Sequence, residues 1–297
     1  MSMKNYKFIL ASSLFIPTIA FAQLSNTDAK IKSSNSITVG ARESSSPLAY
    51  LIGSGNYTGY HVELCQRVLN RLYPNAKLIF FGITPQNRIP LIQNGTIDIE
   101  CGSTSNTAAR KEQVDFAVTT YVTEARYAVK KSSGINSTDD VIKKRIVTTS
   151  GTTPVQHLRR LEQARGVKLD VIYAKDHAEA FLLVETDRAD AFAMDDNILA
   201  GNIAASKNPG AYKIVGDPLS TEAIAIMIRK DDPIFKAGVD RQIKAMMKSG
   251  ELKALYEKWF LAPIPPKNAT IGIPMGVSLI ELIKNPSDAP AEALVIK

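Results

Sequence analysis

Cysteine is scarce in this chain: among 297 residues only Cys65 and Cys101 carry a thiol, and they are neither closely spaced nor joined in a cluster with histidines. That pattern argues against a zinc site, which needs clustered ligands. The serine nucleophile elbow (G-x-S-x-G) is missing, and with it the turn on which that class of hydrolase depends. Past residue 20 no apolar run approaches the roughly 20 residues of a membrane-spanning helix. Basic charge is present without being concentrated. The formal charge is +7, or +5 once Lys4 and Lys7 are set aside. Lys and Arg are interspersed with Asp and Glu, and no helix shows a basic stripe interleaved with aromatics, so nucleic acid is not an expected partner. A milder use for the excess is attraction of a small anionic ligand.

What is present begins with the first 22 residues. Lys4 and Lys7 precede an apolar stretch from Phe8 to Ala20, and Ala20-Phe21-Ala22 offers small residues at the two positions a signal peptidase inspects. Residues 1–22 therefore read as a secretory signal peptide cleaved after Ala22, with a soluble mature protein in the periplasm. No cysteine lies near the cleavage site to take a lipid anchor. Export makes a Cys65–Cys101 disulfide feasible. Cys65 falls on an apolar-periodic helix and Cys101 in an apolar strand, so a bridge and two buried thiols both stay open. The chain length exceeds one compact core and predicts two lobes.

After a polar leader (residues 23–36), strand-like and helix-like segments alternate. Ile37-Thr38-Val39 opens a strand running into Arg42, and Val62, Leu64, Cys65, Val68, Leu69 and Leu72 recur at helical spacing. Residues 77–83 read as a strand, 86–92 as a short helix stopped at Asn94-Gly95, and 97–101 as the next strand. This βαβαβ order implies an α/β fold with a mostly parallel sheet covered by helices. The pattern restarts with strands at 126–131, 145–149, 169–173 and 189–194. Residues 222–229 read as one further strand, and 233–260 as two amphipathic helices broken at Ser249-Gly250. The expected division is 37–123 with 220–262 for the first lobe and 124–219 for the second. Two crossing segments, near 121–126 and 220–223, then form a hinge beside a ligand cleft. The proline-rich extension, 263–297, is expected to wrap the surface without chemistry.

In open α/β sheets ligands gather at strand carboxyl ends and helix N-termini. Ser150-Gly151-Thr152-Thr153-Pro154 follows a strand; Thr153 suits an N-cap and Pro154 the first helical turn. Its free N–H groups and hydroxyls would take a carboxylate or phosphate, although an ordinary cap has the same sequence. Ser103 and Ser105 follow another strand, and Arg110 comes shortly after, placed either to clamp a carboxylate or to pair at the surface with Glu112 or Asp115. Asp195 and Asp196 end a strand. Asp195 suits an ammonium group, the pair would also suit acid–base work or a hard cation, and Asp196 is expected to cap the helix from Asn197. Arg42, Arg88 and His177 each follow a different strand, supplying the three donors that a second carboxylate requires. His61 and His157 read as structural.

Seven segments carry a family resemblance: ARESSSPLAY (41–50), ITPQNRIPLIQNGTIDIECGSTSN (83–106), VTTSGTT (147–153), AKDHAEAF (174–181), AFAMDDNILAG (191–201), RKDDP (229–233) and KWFLAPIPPKN (258–268). Through them the chain resembles the type II periplasmic solute-binding proteins of polar amino-acid ABC importers, and within these the glutamate/aspartate receptors. The resemblance implies a two-lobed type II fold. It implies an α-carboxylate held by Arg110 and Thr153 with Ser105 nearby, an α-ammonium held by Asp195 and Ser103, and a side-chain carboxylate met by Arg42, Arg88 and His177. It also implies a monomer without cofactor or metal, whose partners are L-glutamate or L-aspartate and a membrane permease. Pro85 departs from the pattern, standing where those receptors usually have a serine; one lost hydroxyl donor is worth roughly 0.5–1.5 kcal/mol.

Two rivals follow from the same fold. Cyclohexadienyl dehydratases resemble these receptors, and Asp195 or His177 would then act as acid or base. A receptor for a neutral amino acid would leave the Arg42, Arg88 and His177 cluster unpaired, which burial makes costly.

Overall fold

The β-branched run Ile37-Thr38-Val39 forms the strand Ser36–Arg42, second from one edge of the first of two five-stranded sheets. It pairs in parallel with Lys77–Ile83 on one side and Ile99–Glu100 on the other. Met227–Arg229 joins antiparallel to Ile99–Glu100, and Val114–Phe116 closes that edge. The amphipathic helix Tyr60–Leu72 buries Leu64, Cys65, Val68 and Leu69 on this sheet. Cys65 and Cys101 are bonded to each other, which ties the helix to the strand end that leads into Ser103. This is a computed structural model describing residues 26–294, so the expected signal peptide lies outside the described residues. Among the described residues no helix is long and apolar enough to cross a membrane.

The second sheet runs in the order Asp170–Ala174, Arg145–Thr149, Ala191–Asp195, Tyr121–Lys130, Tyr212–Ile224. Its first three strands are mutually parallel, and the two long ones are antiparallel to each other. Those long strands pair from Tyr121↔Ile224 to Ala125↔Ser220 at their lobe-crossing ends, making the hinge of two crossing strands. Tyr121 stacks on Phe260 at 4.8 Å, and Phe260 on Tyr256 at 4.3 Å. These rings fasten the hinge to the returning helices Pro233–Ser249 and Glu251–Tyr256, which are separated by Gly250 at φ 81°. The architecture is the two-lobed α/β arrangement of type II periplasmic binding proteins.

Three stretches differ from the sequence expectation. Residues 222–229 are not one strand: Tyr212–Ile224 ends in the hinge and Met227–Arg229 belongs to the first sheet. Both pieces and the link between them are buried, so the apolar pattern shows no break. Part of the polar leader is a helix, Thr27–Ser34, whose single apolar anchor Ile31 is buried and whose Thr27 N–H donates to Asp232 at 2.9 Å. In the C-terminal extension Val277–Lys284 is a helix with Leu279 and Leu282 buried. The chain then continues to the hinge, where the Thr119 N–H donates to the Ser287 carbonyl.

Candidate ligand-binding site

The carboxyl ends of both sheets face each other, and ten residues enclose one small cavity between them. Arg42, Arg88, Ser103, Ser105 and Arg110 come from the first lobe, and Thr152, Thr153, His177, Met194 and Asp195 from the second. All eight residues singled out in the sequence are in this set. The other two are Thr152, expected only as one of the loop hydroxyls and donating to the Thr149 carbonyl at 2.6 Å, and Met194, which no polar signal would have flagged.

Arg42 ends its strand and is 1% exposed. Its Nη2 lies 3.4 Å from His177 Nε2, while Thr149 Oγ1 lies 2.8 Å from His177 Nδ1. A guanidinium has no acceptor, so Nε2 accepts from Arg42 and the ring proton sits on Nδ1, donating to Thr149. Burial, reinforced by Arg42 and Arg88, holds the His177 pKa well below its ordinary value. His177 is thus a neutral ring that orients Arg42. Burial lowers Arg42 itself only to about 10, Glu100 opposing, so it stays charged.

Arg88 opens the short helix Arg88–Gln93, and its Nη2 donates to the Gly151 carbonyl at 3.2 Å. Arg110 sits on the helix Ala108–Lys111, capped by the Thr107 side chain. It turns into the cleft, away from Glu112 and Asp115, donating to the Ser105 carbonyl at 2.9 Å and to Gly151 at 3.3 Å. One carbonyl of the second lobe therefore receives two arginines of the first. Buried charged groups are normally fully partnered. Here Arg42 Nε and Nη1, Arg88 Nε and Asp195 Oδ1 have no partner.

Asp195 is 1% exposed. Burial, followed by repulsion from Glu222 and Asp196, pushes its pKa well above the usual carboxylate value, a strain that a bound cationic group would relieve. Ser103 Oγ lies 3.1 Å from Ser45 Oγ. Two capping expectations are corrected. Thr153 occupies the N-cap position of Pro154–Arg165, but its hydroxyl makes no cap bond, because the residue already has helical φ and ψ. Asp196 does not precede its helix as a cap but begins it, and its carboxylate accepts the Thr123 hydroxyl of the hinge strand.

Outside this cavity, and sharing Arg110, Thr152 and Thr153 with it, a second pocket of about 410 Å³ opens to solvent. Its walls include His157, Arg160, Glu222 and, from the C-terminal extension, Ala291 and Glu292. His157, read as structural, donates a 2.8 Å hydrogen bond from Nε2 to Glu222 of the hinge strand. His61 is buried with both ring nitrogens engaged, by Gly102 and Thr120.

Residues 37–262 match the bacterial extracellular solute-binding proteins, family 3. The chain belongs to that family. This family-3 protein is 40% identical over 292 residues to the L-glutamate/L-aspartate-binding protein of Pseudomonas aeruginosa, with 96% of each chain covered. It is 41% identical over 266 residues to the glutamate/aspartate import solute-binding protein of Escherichia coli, covering 87% of each. In three dimensions it is similar to the crystal structure of the ancestral amino-acid-binding protein AncCDT-1, a precursor of cyclohexadienyl dehydratase. The TM-score is 0.69 at 28% identity, covering 79% of this chain and 99% of that one. The family-3 protein is a solute-binding protein and not an enzyme.

Proposed function

We propose that this protein captures L-glutamate or L-aspartate in the periplasm and presents it, lobes closed, to the permease of an ABC importer. The observation that carries the reading is the charge set of the inner cavity: three guanidiniums from one lobe and one carboxylate from the other. That set complements a ligand with two carboxylates and one ammonium group. In this reading Arg110 and Thr153, with Ser105, hold the α-carboxylate, and Asp195 and Ser103 hold the ammonium. Arg42 and Arg88, with His177 beneath Arg42, hold the side-chain carboxylate. The ligand bridges residues 37–123 and 220–262 on one side and 124–219 on the other, and so shifts the population toward the closed form. Export by residues 1–22 with cleavage after Ala22, and a monomeric state, complete the proposal. The names borne by the two curated relatives support this ligand class.

Calorimetric titration of the mature protein, freed of ligand by unfolding and refolding, tests it with L-glutamate, L-aspartate, L-glutamine, L-asparagine and prephenate. Tight binding of an acidic amino acid, amides much weaker and prephenate unchanged, is the expected result. Preference for an amide would discard the role of Arg42 and Arg88.

A further inference from the structure

Glu100 is buried beside the site and takes no part in the contacts above. It ends the two-residue strand Ile99–Glu100, is 0% exposed, and neither carboxylate oxygen has a hydrogen-bond partner. A β-carbon on Gly102 would collide with this carboxylate and with Cγ of Arg42, so the carboxylate and the Arg42 side-chain stem lie side by side over the bare Gly102 α-carbon. Burial drives the Glu100 pKa up, while Arg88, the nearby Thr104 hydroxyl and Arg42 pull it down. An uncompensated carboxylate in such a place is strongly unfavourable. Its charged neighbours are the arginines of the cavity.

We propose that Glu100 is the built-in counter-ion of the Arg42/Arg88 pair and restricts the distal end of the cleft to a side chain bearing a single negative charge. This rests on the reading that those two arginines meet the distal group. Counted as ionised groups beside the neutral His177, the three guanidiniums of Arg42, Arg88 and Arg110 against the two buried carboxylates of Glu100 and Asp195 leave one net positive charge. An acidic amino acid with its ammonium group carries one net negative charge and neutralises that set. Without Glu100 the surplus would double, and the distal end would accept a dianion. Glu100 touches no ligand atom in this account; it is a specificity-determining residue acting through Arg42 and Arg88.

The test compares three ligands with the same carbon chain by calorimetry: L-glutamate, its γ-sulfonate analogue L-homocysteate, and its γ-phosphonate analogue L-2-amino-4-phosphonobutanoate. Sulfonate and phosphonate share a tetrahedral shape, but the phosphonate can carry a second charge. In Glu100→Gln the phosphonate should gain on the sulfonate by at least about tenfold relative to wild type, while Glu100→Asp should keep the wild-type ratio. An unchanged ratio in a Glu100→Gln protein that still binds glutamate would overturn the proposal. The wild-type protein supplies an independent reading, because titrations in buffers of different ionisation enthalpy count protons. Phosphonate should bind with more proton uptake than glutamate, approaching one proton; equal uptake would also sink the idea, even if the variant failed to fold. Failure of wild type to bind glutamate would instead overturn the functional reading itself.

Discussion

Gly151 of the second lobe lies against the backbone of Pro85 in the first: a β-carbon there would sit 2.9 Å from the Pro85 carbonyl carbon, and Gly151 has φ 79°. The Gly151 carbonyl also receives Arg88 and Arg110, so lobe closure and arginine placement converge on one peptide unit. Gly151→Ala should therefore hinder closure as well as strain a left-handed backbone, which costs about 1–2 kcal/mol by itself. Gly166→Ala is the control, since Gly166 has φ 61° with nothing within 4 Å of its would-be β-carbon. The expected outcome is a comparable loss of stability for both variants, but a Kd raised about tenfold or more only for Gly151→Ala. Calorimetry and thermal melting separate the two effects.

Asp195 gives the cavity its one carboxylate from the second lobe, with Oδ1 unpartnered. Asp195→Asn should lose about 2–5 kcal/mol of affinity for any ammonium-bearing ligand, because a buried charge pair is broken. Calorimetric titration with L-glutamate at pH 7 checks this. Unaltered affinity would remove Asp195 from the ammonium site.

Why some of this could be read from the sequence and some not is a matter of which signals burial erases. Arg42, Arg88, Thr153, His177 and Asp195 each follow a strand whose apolar pattern marks its end, so the rule that ligands meet strand carboxyl ends was enough to find them. Glu100 could not be found that way. In Ile97-Asp98-Ile99-Glu100-Cys101 the two acids alternate with apolar residues and look like one solvated face, yet both are buried. Asp98 is satisfied by Lys30 at 2.6 Å and the Thr38 N–H at 2.9 Å, partners that no local pattern reveals. The helix Thr27–Ser34 escaped notice because Ile31 is its only apolar anchor. The hinge break after Ile224 escaped because a chain passing from one buried sheet to another keeps an unbroken hydrophobic run.

His61 makes the fold sensitive to acid. Burial lowers its pKa from 6.5 to about 4. The unfolded chain then takes up a proton near pH 6.5 while the folded protein does not. The contribution is present above pH 6.5 and is lost as pH falls through about 4. Over that window stability should drop by about 3 kcal/mol from this residue. His61→Asn should flatten the wild-type profile between pH 6.5 and 4, as measured by urea unfolding at several pH values.

The Cys65–Cys101 bond closes a loop of 36 residues that contains the strand Lys77–Ile83 and Arg88. Closing a loop of that length restricts the unfolded chain by about 3–4 kcal/mol. The double variant Cys65→Ser/Cys101→Ser should show a loss of that size in denaturant unfolding. It should weaken ligand binding as well, since Cys101 leads directly into Gly102 and Ser103.

The C-terminal extension reaches the site through Asn106. The Asn106 side chain donates to the carbonyls of Asp288 at 2.9 Å and Ala289 at 3.2 Å, and the Asn106 backbone carbonyl accepts the Ala291 N–H at 2.8 Å. Glu292 accepts the Ala108 N–H at 3.2 Å, and Asp288 pairs with Lys236 at 3.0 Å. These contacts bracket the turn that carries Ser105 and Arg110, so the extension positions the α-carboxylate donors from behind. Removing residues 286–297 leaves the buried Leu279 and Leu282 in place and deletes that brace together with the Thr119–Ser287 hydrogen bond. At about 1 kcal/mol for each hydrogen bond lost, ligand affinity should fall roughly tenfold or more. Amide exchange should rise at Asn106 to Lys111 and stay unchanged in the second lobe. Asn106→Ala in the full-length chain should reproduce part of both effects. If truncation alters neither affinity nor exchange, the extension is a surface wrapping and Arg110 is held by its own lobe alone.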